Sequence, residues 1–323
     1  MTTLNDEAGA ASRVVALAGG VGGAKLAQGL AAVVPGDSLS VVVNTADDFW
    51  HYGLRICPDL DTVLYTLAGL ANPATGWGVA GDTRATLDAL ARYGENPWFQ
   101  LGDQDFATHI LRSQWLREGR SLTEVTASLA AALGIEARLL PMSDDEVATR
   151  VQTPQGELDF QEYFVARRQT DDVLGVSFAG IDQARPSPAV LAAIEGADVI
   201  VFCPSNPIVS IGPILAVPGI RDALAASAAA KVAVSPIVGG RALKGPADKM
   251  LATLGHEVSA LGVARILSGL VDVFVLDETD AGLAGAVATL GMRPVVAATV
   301  MGDAADRARL AVDILRALEP ATA

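Results

Sequence analysis

The chain has 323 residues, of which 51% are hydrophobic, and a formal net charge of −14. This length allows one large α/β domain or two smaller ones, and the negative charge excludes a general nucleic-acid binder, which needs a basic surface. No apolar run reaches the length of a membrane span, and the polar, acidic residues 1–12 lack a signal-peptide pattern, so we expect a cytoplasmic protein with a disordered leader.

The first elements in chain order form a βαβ unit. Residues 13–18 and 40–43 are apolar runs typical of buried parallel strands, and residues 24–34 between them have a helical pattern. The unit predicts the start of a parallel sheet, whose ligands lie at the carboxyl ends of the strands.

A glycine-rich turn joins this first strand to the first helix, with glycines at Gly19, Gly20, Gly22 and Gly23. Such a turn favours phosphate binding, because backbone N–H groups and a helix N-terminus face the ligand. Lys25 occupies the position of the third glycine in the NAD fingerprint and lacks the neighbours of a P-loop lysine, so neither motif is complete.

Four carboxylates follow the second strand, at Asp47, Asp48, Asp59 and Asp61. Carboxylate oxygens suit Mg²⁺, which needs only one or two of them besides phosphate oxygens. Two Asp-rich turns, one of them capping the next helix, explain the same spacing equally well. Asp61 is expected to be a solvated residue of the cleft.

The next stretch has helical patterns without an alternating strand, which predicts a helical insertion at about 63–135. Ser121 and Glu124 form a capping-box pattern at the start of its last helix. The predicted helices span 62–70, 83–93, 105–118 and 121–133.

The remaining chain returns to strands and helices. Short strands are predicted at 137–140, 149–153 and 158–165, the last two as a hairpin. The βα rhythm then continues with strands at 175–178, 198–203, 231–234, 271–276 and 294–297, with helices at 188–195 and 304–318 and with a pair of helices over 246–267. The fold expected for residues 13–323 is a single α/β domain, a doubly wound, mostly parallel Rossmann-like sheet with a helical insertion.

Two later strand-end loops carry neutral hydrogen-bonding groups, Ser205 and Asn206 in the first and Ser235 in the second. Strand-end loops of a parallel sheet converge on one crevice, so these groups are candidates for binding a base, a ribose or a phosphate. Asn206 is equally explained as a turn residue. The residues by themselves favour an α/β protein with a phosphate ligand, Mg²⁺ and an acidic site.

Several long motifs resemble one known family. They are, in order, GGVGGAKL, VVVNTADDFWHYGLRICPDLDTVLY, LGDQDFATHILRSQ, PSNPIVSIGPIL and DVFVLDETD. Together they are similar to the 2-phospho-L-lactate transferases of coenzyme F-420 biosynthesis.

The resemblance implies a Mg²⁺-dependent transfer of a phosphorylated three-carbon acid. The donor is the guanosine diphosphate ester of that acid, which is 2-phospho-L-lactate, phosphoenolpyruvate or a related compound. The acceptor is the ribityl hydroxyl of 7,8-didemethyl-8-hydroxy-5-deazariboflavin (Fo), and GMP is released. The motifs leave the identity of the three-carbon acid open.

Residue roles follow from the same resemblance. We expect the four glycines of the turn, with Lys25, Ser205, Asn206 and Ser235, to bind the guanosine diphosphate part. Mg²⁺ is expected on Asp47, Asp48 and Asp61, and either Asp48 or Asp61 would accept or orient the hydroxyl proton. Fo is expected to contact Asp61, Gln100 and Trp50, although Trp50 is also explained as a core residue.

Two other functions compete with this hypothesis. A non-catalytic sugar-nucleotide-binding regulatory protein would share the glycine turn and the 204–207 loop, whereas an NAD-dependent oxidoreductase would share only the βαβ start. The motif LGDQDFATHILRS favours the transferase over both. A symmetric homodimer is expected for an enzyme of this size.

Overall fold

The computed structural model describes residues 12–318, so the expected leader, except for residue 12, lies outside the described residues. The strands, in chain order, are β1 Val14–Ala18, β2 Leu39–Val43, β3 Phe49–His51, β4 Leu54–Ile56, β5 Arg138–Pro141, β6 Ala148–Thr153, β7 Gly156–Asp159, β8 Gly175–Ala179, β9 Val199–Phe202, β10 Ala230–Val234, β11 Ile237–Val238, β12 Arg241–Ala242, β13 Val273–Asp277 and β14 Arg293–Ala297. The α-helices are α1 Gly20–Ala31, α2 Pro58–Leu67, α3 Ala85–Arg92, α4 Asp103–Arg117, α5 Leu122–Ala132, α6 Pro188–Glu195, α7 Ile211–Ala216, α8 Ile220–Ala226, α9 Ala247–Thr253, α10 Ala260–Leu267, α11 Ala284–Ala288 and α12 Ala304–Leu318.

The central sheet has seven strands in the order β14-β13-β10-β9-β1-β2-β5, and every neighbouring pair is parallel. Strands β1, β2 and β13 are buried at every residue, because packed hydrophobic clusters cover both faces of the sheet. The predicted doubly wound parallel fold is confirmed. Chain order reverses between β1 and β9, and this switch point forms a crevice at the carboxyl ends of the strands.

Four helices, α2 to α5, and the strands β3 and β4 separate the second and third strands of this sheet, β2 and β5, along the chain. The predicted capping box is present, because Ser121 accepts from the Glu124 amide and the Glu124 carboxylate accepts from the Ser121 amide. Among residues 12–318, no helix combines the length and the apolar character that crossing a membrane requires.

A hairpin that the sequence did not predict lies directly after the first acidic pair. Strands β3 and β4 pair antiparallel, with Tyr52 and Gly53 as the central turn residues at φ 49° and 73°. Two positive φ values are typical of a type I′ turn, which normally carries Asn or Asp before Gly. Because Tyr52 stands at the position normally held by Asn or Asp, the sequence pattern did not predict this turn.

Two other predictions were wrong in part. The strand predicted at 158–165 ends at Asp159, and the π-helical turn Glu162–Ala166 follows it. Strand β8 was expected to continue the βα rhythm, yet it pairs antiparallel with β6 in a separate sheet of order β7-β6-β8. Pairing partners distant in sequence decide such cases, because a short apolar run fits either sheet.

Candidate active site

A cavity of about 800 Å³ opens at the switch point of the sheet. Its wall includes the glycine turn, helix α2, the start of α4 and the loops after β9, β10 and β14. The predicted site residues that line it are Gly19, Gly20, Gly22, Lys25, Asp47, Asp61, Gln100, Ser205, Asn206 and Ser235. The predicted residues Gly23, Asp48 and Trp50 do not line it.

The glycine turn packs directly against the loop that follows β9. The Gly19 amide donates to Ser205 Oγ (3.0 Å), and the Ser205 hydroxyl donates to the Gly19 carbonyl (2.8 Å). A Cβ at Gly22 would overlap the Pro204 carbonyl oxygen, and one at Gly23 would lie 2.5 Å from Ser205 Oγ. Close packing therefore requires these glycines, whether or not a phosphate approaches the turn.

We expect Gly22→Ala to lower the free energy of unfolding by about 1–3 kcal/mol, because the added methyl group meets a backbone oxygen that has little room to move. Gly285→Ala is the matched control, since its Cβ meets nothing within 4 Å and Ala favours the helix in which it lies. Urea unfolding measures both, and equal stabilities would contradict the packing argument.

Asp47 and Asp59 form a buried carboxylate pair on the cavity wall. The Asn44 amide group donates to Asp47 Oδ1 (3.3 Å) and to Asp59 Oδ2 (2.9 Å). Gln161 Nε2 donates to Asp47 Oδ2 (2.9 Å), and the Gly20 amide donates to Asp59 Oδ1 (2.7 Å). No Lys or Arg of the described chain forms an ion pair with either carboxylate, so their negative charge has no protein counter-ion.

The other two carboxylates of the sequence cluster do have cationic partners. Asp48 lies 3.6 Å from Arg55 Nη2, and both its oxygens are buried without a hydrogen-bond donor. Asp61 forms a two-pronged pair with Arg112, which is 1% exposed. Asp61 was expected to be solvated, but only 6% of it is exposed. The prediction was wrong because Arg112, which neutralises Asp61, comes from the distant helix α4.

Burial dominates the electrostatics of these acids. Burial raises the pKa of Asp59 to about 6 and the pKa of Asp48 to about 7, from 3.8. Burial, followed by repulsion from Asp59 and Asp48, raises the pKa of Asp47 well above its usual range. At Asp48 the effect of burial outweighs the opposing charge of Arg55, so the protein stabilises the neutral forms of all three groups.

With EDTA present to remove divalent cations, the free energy of unfolding is expected to fall as pH rises from about 4 to about 7. The folded-state pKa values of Asp48 and Asp59 lie above the unfolded value of 3.8, so the folded chain binds more protons throughout this window and loses that advantage as pH rises. The expected loss is on the order of a few kcal/mol, measured by urea unfolding at pH 5 and pH 8. Asp59→Asn should flatten this dependence, and identical slopes for the variant and wild type would refute the assignment.

A polar network that the sequence did not reveal joins helices α2 and α4. Tyr65 donates to Asp105 Oδ1 (2.6 Å), and His109 Nε2 lies 3.0 Å from the same oxygen. His109 Nδ1 faces Arg112 Nη1 (3.3 Å) and Asp61 Oδ2 (3.6 Å). Asp105, His109 and Arg112 lie on one face of α4, because they are spaced four and three residues apart. This spacing of polar residues is the sequence pattern from which the network could have been predicted.

Trp50 lies outside the cavity and is 48% exposed. The guanidinium groups of Arg55 (5.9 Å from the ring centroid) and Arg117 (5.8 Å) both lie over its ring, and its Nε1 donates to Glu146 (3.4 Å). These contacts hold the β3–β4 hairpin against its neighbours. The structure does not bring Trp50 together with the other predicted site residues.

Aromatic and apolar side chains form the rest of the cavity wall. Phe99, Gln100 and Leu101 come from the segment before α4, and Gln100 Nε2 donates to the Pro97 carbonyl (3.2 Å). Phe160 and Phe164 stack with centroids 5.6 Å apart and planes 5° apart. A flat, largely apolar ligand has suitable surfaces here.

No group of three or more His, Cys, Asp or Glu side chains within residues 12–318 has an arrangement that could hold a metal ion. The Asp47 and Asp59 pair supplies two carboxylates and no more. Mg²⁺ commonly binds through one or two carboxylates together with substrate phosphates and water, so the pair suits Mg²⁺ only when a phosphate ligand completes the site.

The family model for 2-phospho-L-lactate transferase CofD matches residues 14–313. The phosphoenolpyruvate transferase of Streptomyces griseus is 47% identical over 95% of this chain and 98% of its own. The 2-phospho-L-lactate transferase of Methanosarcina barkeri is 43% identical over 89% of this chain and 93% of its own.

A solved structure also resembles the fold. The crystal structure of a UPF0052 family protein from Bacillus halodurans aligns with a TM-score of 0.61 at 18% identity, covering 95% of this chain and 99% of that one. At this identity the likeness supports the fold alone. By its sequence, the chain belongs to the CofD family of 2-phospho-L-lactate transferases and is a transferase.

Proposed function

We propose that the chain transfers a phosphorylated three-carbon acid from its guanosine diphosphate ester to the ribityl hydroxyl of Fo, releasing GMP. The observation that carries the proposal is a single cavity that combines the glycine turn, an uncompensated buried carboxylate pair and aromatic walls. Membership of the transferase family supports this choice over a non-catalytic nucleotide-binding protein or an oxidoreductase.

The proposed Mg²⁺ ligands are Asp47 and Asp59, rather than the set of Asp47, Asp48 and Asp61 that the sequence suggested. Asp48 is paired with Arg55 away from the cavity wall, and Asp61 is neutralised by Arg112. When bound, Mg²⁺ would supply positive charge to the phosphate oxygens of the donor. Asn44 and Gln161 would orient the two carboxylates through the hydrogen bonds that they already donate.

Asp61 is proposed to orient the ribityl hydroxyl of Fo rather than to bind Mg²⁺. It lines the cavity two residues after Asp59 on α2, and the buried Arg112 pair holds its carboxylate in one orientation. A fixed carboxylate can accept a hydrogen bond from the ribityl hydroxyl and orient it for attack on phosphorus. Orientation suffices in a loose phosphoryl-transfer transition state, where proton removal by a strong base is not required early.

The test is mass spectrometry of the product formed from Fo, Mg²⁺ and the guanosine diphosphate esters of 2-phospho-L-lactate and of phosphoenolpyruvate, supplied separately. Transfer of either acid with release of GMP supports the function, and the two products differ in mass by two hydrogens. The relatives named phosphoenolpyruvate transferase and 2-phospho-L-lactate transferase make both donors reasonable candidates. Binding of Fo and donor without any product would overturn the proposal.

Acceptor and donor sites are expected to be separable. Gln100→Ala should raise the KM for Fo about tenfold and leave GDP affinity near that of wild type, because Gln100 lies on the segment before α4, whereas GDP is proposed to bind at the glycine turn. Steady-state kinetics and GDP titration measure the two effects. A parallel loss of GDP affinity would count against separate sites.

We expect the enzyme to act in the cytoplasm. We also expect it to be a homodimer, and the molar mass in solution tests this second expectation. Light scattering that gives twice the 33.2 kDa chain mass would support the dimer. A single chain mass at micromolar concentration would refute it.

A further inference from the structure

Two lysines on the cavity wall lack a negative partner. Lys25 lies in helix α1, and Lys244 follows β12. Among the described residues, no other Lys or Arg side chain lines the cavity. Neither forms an ion pair with a carboxylate within residues 12–318. The chain contains 37 acidic and 23 basic residues, so two unpaired cations at one cavity are notable.

Each ammonium group is held by one backbone carbonyl. Lys25 Nζ donates to the Met301 carbonyl (2.7 Å), and Lys244 Nζ donates to the Thr75 carbonyl (2.6 Å). An ammonium group has three N–H donors, so each lysine keeps two for a ligand. Both groups are therefore positioned, but their hydrogen-bonding capacity is only partly used.

The Lys244 ammonium group lies where the segment around Gly76 meets the glycine turn. A Cβ at Gly76 would lie 2.7 Å from Val21 Cγ1 and 3.1 Å from Lys244 Nζ, which shows how closely the three residues pack. Burial lowers the pKa of Lys25, and the nearby charges of Arg307 and Lys244 lower it further. Like charges gathered at a cavity repel one another until an anion binds between them.

We propose that Lys244 acts with Lys25 to bind the phosphate oxygens of the guanosine diphosphate part of the donor. Lys244 would thereby select the charged nucleotide over the uncharged nucleoside. Phosphate is favoured over the carboxylate of the three-carbon acid, because Val21, which packs beside Lys244, belongs to the glycine turn itself. The inference rests on the proposed function and adds a residue that no sequence motif singled out.

The experiment measures the affinities of GDP and guanosine with Mg²⁺, by competition against a fluorescent GDP analogue. Lys244→Gln removes the charge but retains a donor for the Thr75 carbonyl, and Lys244→Arg retains the charge. We expect Lys244→Gln to weaken GDP binding about tenfold, with guanosine affinity unchanged, and Lys244→Arg to stay within about threefold of wild type. Arg241→Gln is the matched control, since Arg241 is an exposed cation near the same loop that does not line the cavity.

Two results would overturn the inference while leaving the proposed function intact. They are unchanged GDP affinity in Lys244→Gln and an equal loss of GDP and guanosine affinity. The second result would reduce Lys244 to an anchor of its loop. A wild-type protein that binds no guanine nucleotide would instead overturn the proposed function and this inference together.

Discussion

Asp59→Asn is expected to lower kcat by about a hundredfold or more while leaving the protein at least as stable as wild type. Asp59 and Asp47 are buried together without a protein counter-ion, so removing one charge relieves repulsion in the folded state. The same substitution removes one of the two carboxylates proposed to bind Mg²⁺. A gain in stability accompanied by loss of activity is the pattern expected of a functional site.

Two measurements separate this effect from a folding defect. Urea unfolding gives the stability, and titration with Mn²⁺ in the presence of GDP, followed by electron paramagnetic resonance, gives the metal affinity independently of turnover. Asp48→Asn is the matched control, since Asp48 is equally buried but is paired with Arg55 and does not line the cavity. If Asp48→Asn abolished metal binding and Asp59→Asn did not, the assignment of the two carboxylates would be reversed.

Asp61→Asn should have the largest effect on stability, lowering the free energy of unfolding by about 3–5 kcal/mol. The substitution leaves the Arg112 guanidinium buried, with 1% of the residue exposed, and without its ionic partner. The second substitution Arg112→Met should recover much of the loss, because the double variant buries no unpaired charge.

Exposed ion pairs provide the comparison for this prediction. Asp313→Asn breaks a pair with Arg309 in which both side chains are more than one third exposed, and it should cost less than about 1 kcal/mol. An Asp61→Asn protein as stable as Asp313→Asn would mean that the Arg112 charge is compensated in another way. The effect of Asp61 on activity is best measured below the unfolding temperature of the variant.

Local sequence patterns were sufficient where the physical cause is itself local. The valine-rich runs of β2 and β13 form buried strands, and helix α12 spans the predicted residues 304–318. The capping box at Ser121 depends on residues three apart, so the sequence contains all of its atoms. Recognition of the family likewise depended on motifs in their chain order.

Non-local pairing was beyond these patterns. Strand β8 has the composition of a sheet strand, but its partner is β6 rather than a strand of the central sheet. The β3–β4 hairpin turns at Tyr52, which adopts a positive φ that is unusual for its type. Such choices depend on which surfaces meet in the folded chain.

The acidic cluster shows most clearly what each level of structure decides. The sequence by itself determined that four carboxylates follow one strand and that they lie near a glycine turn in an α/β crevice. Only the tertiary structure decided which of them are neutralised, because Arg112 reaches Asp61 across 51 residues of chain, whereas no described cation reaches Asp47 or Asp59. Whether a buried charge is paired depends on its three-dimensional surroundings. For this reason the proposed metal ligands are Asp47 and Asp59, and not Asp47, Asp48 and Asp61 as the sequence suggested.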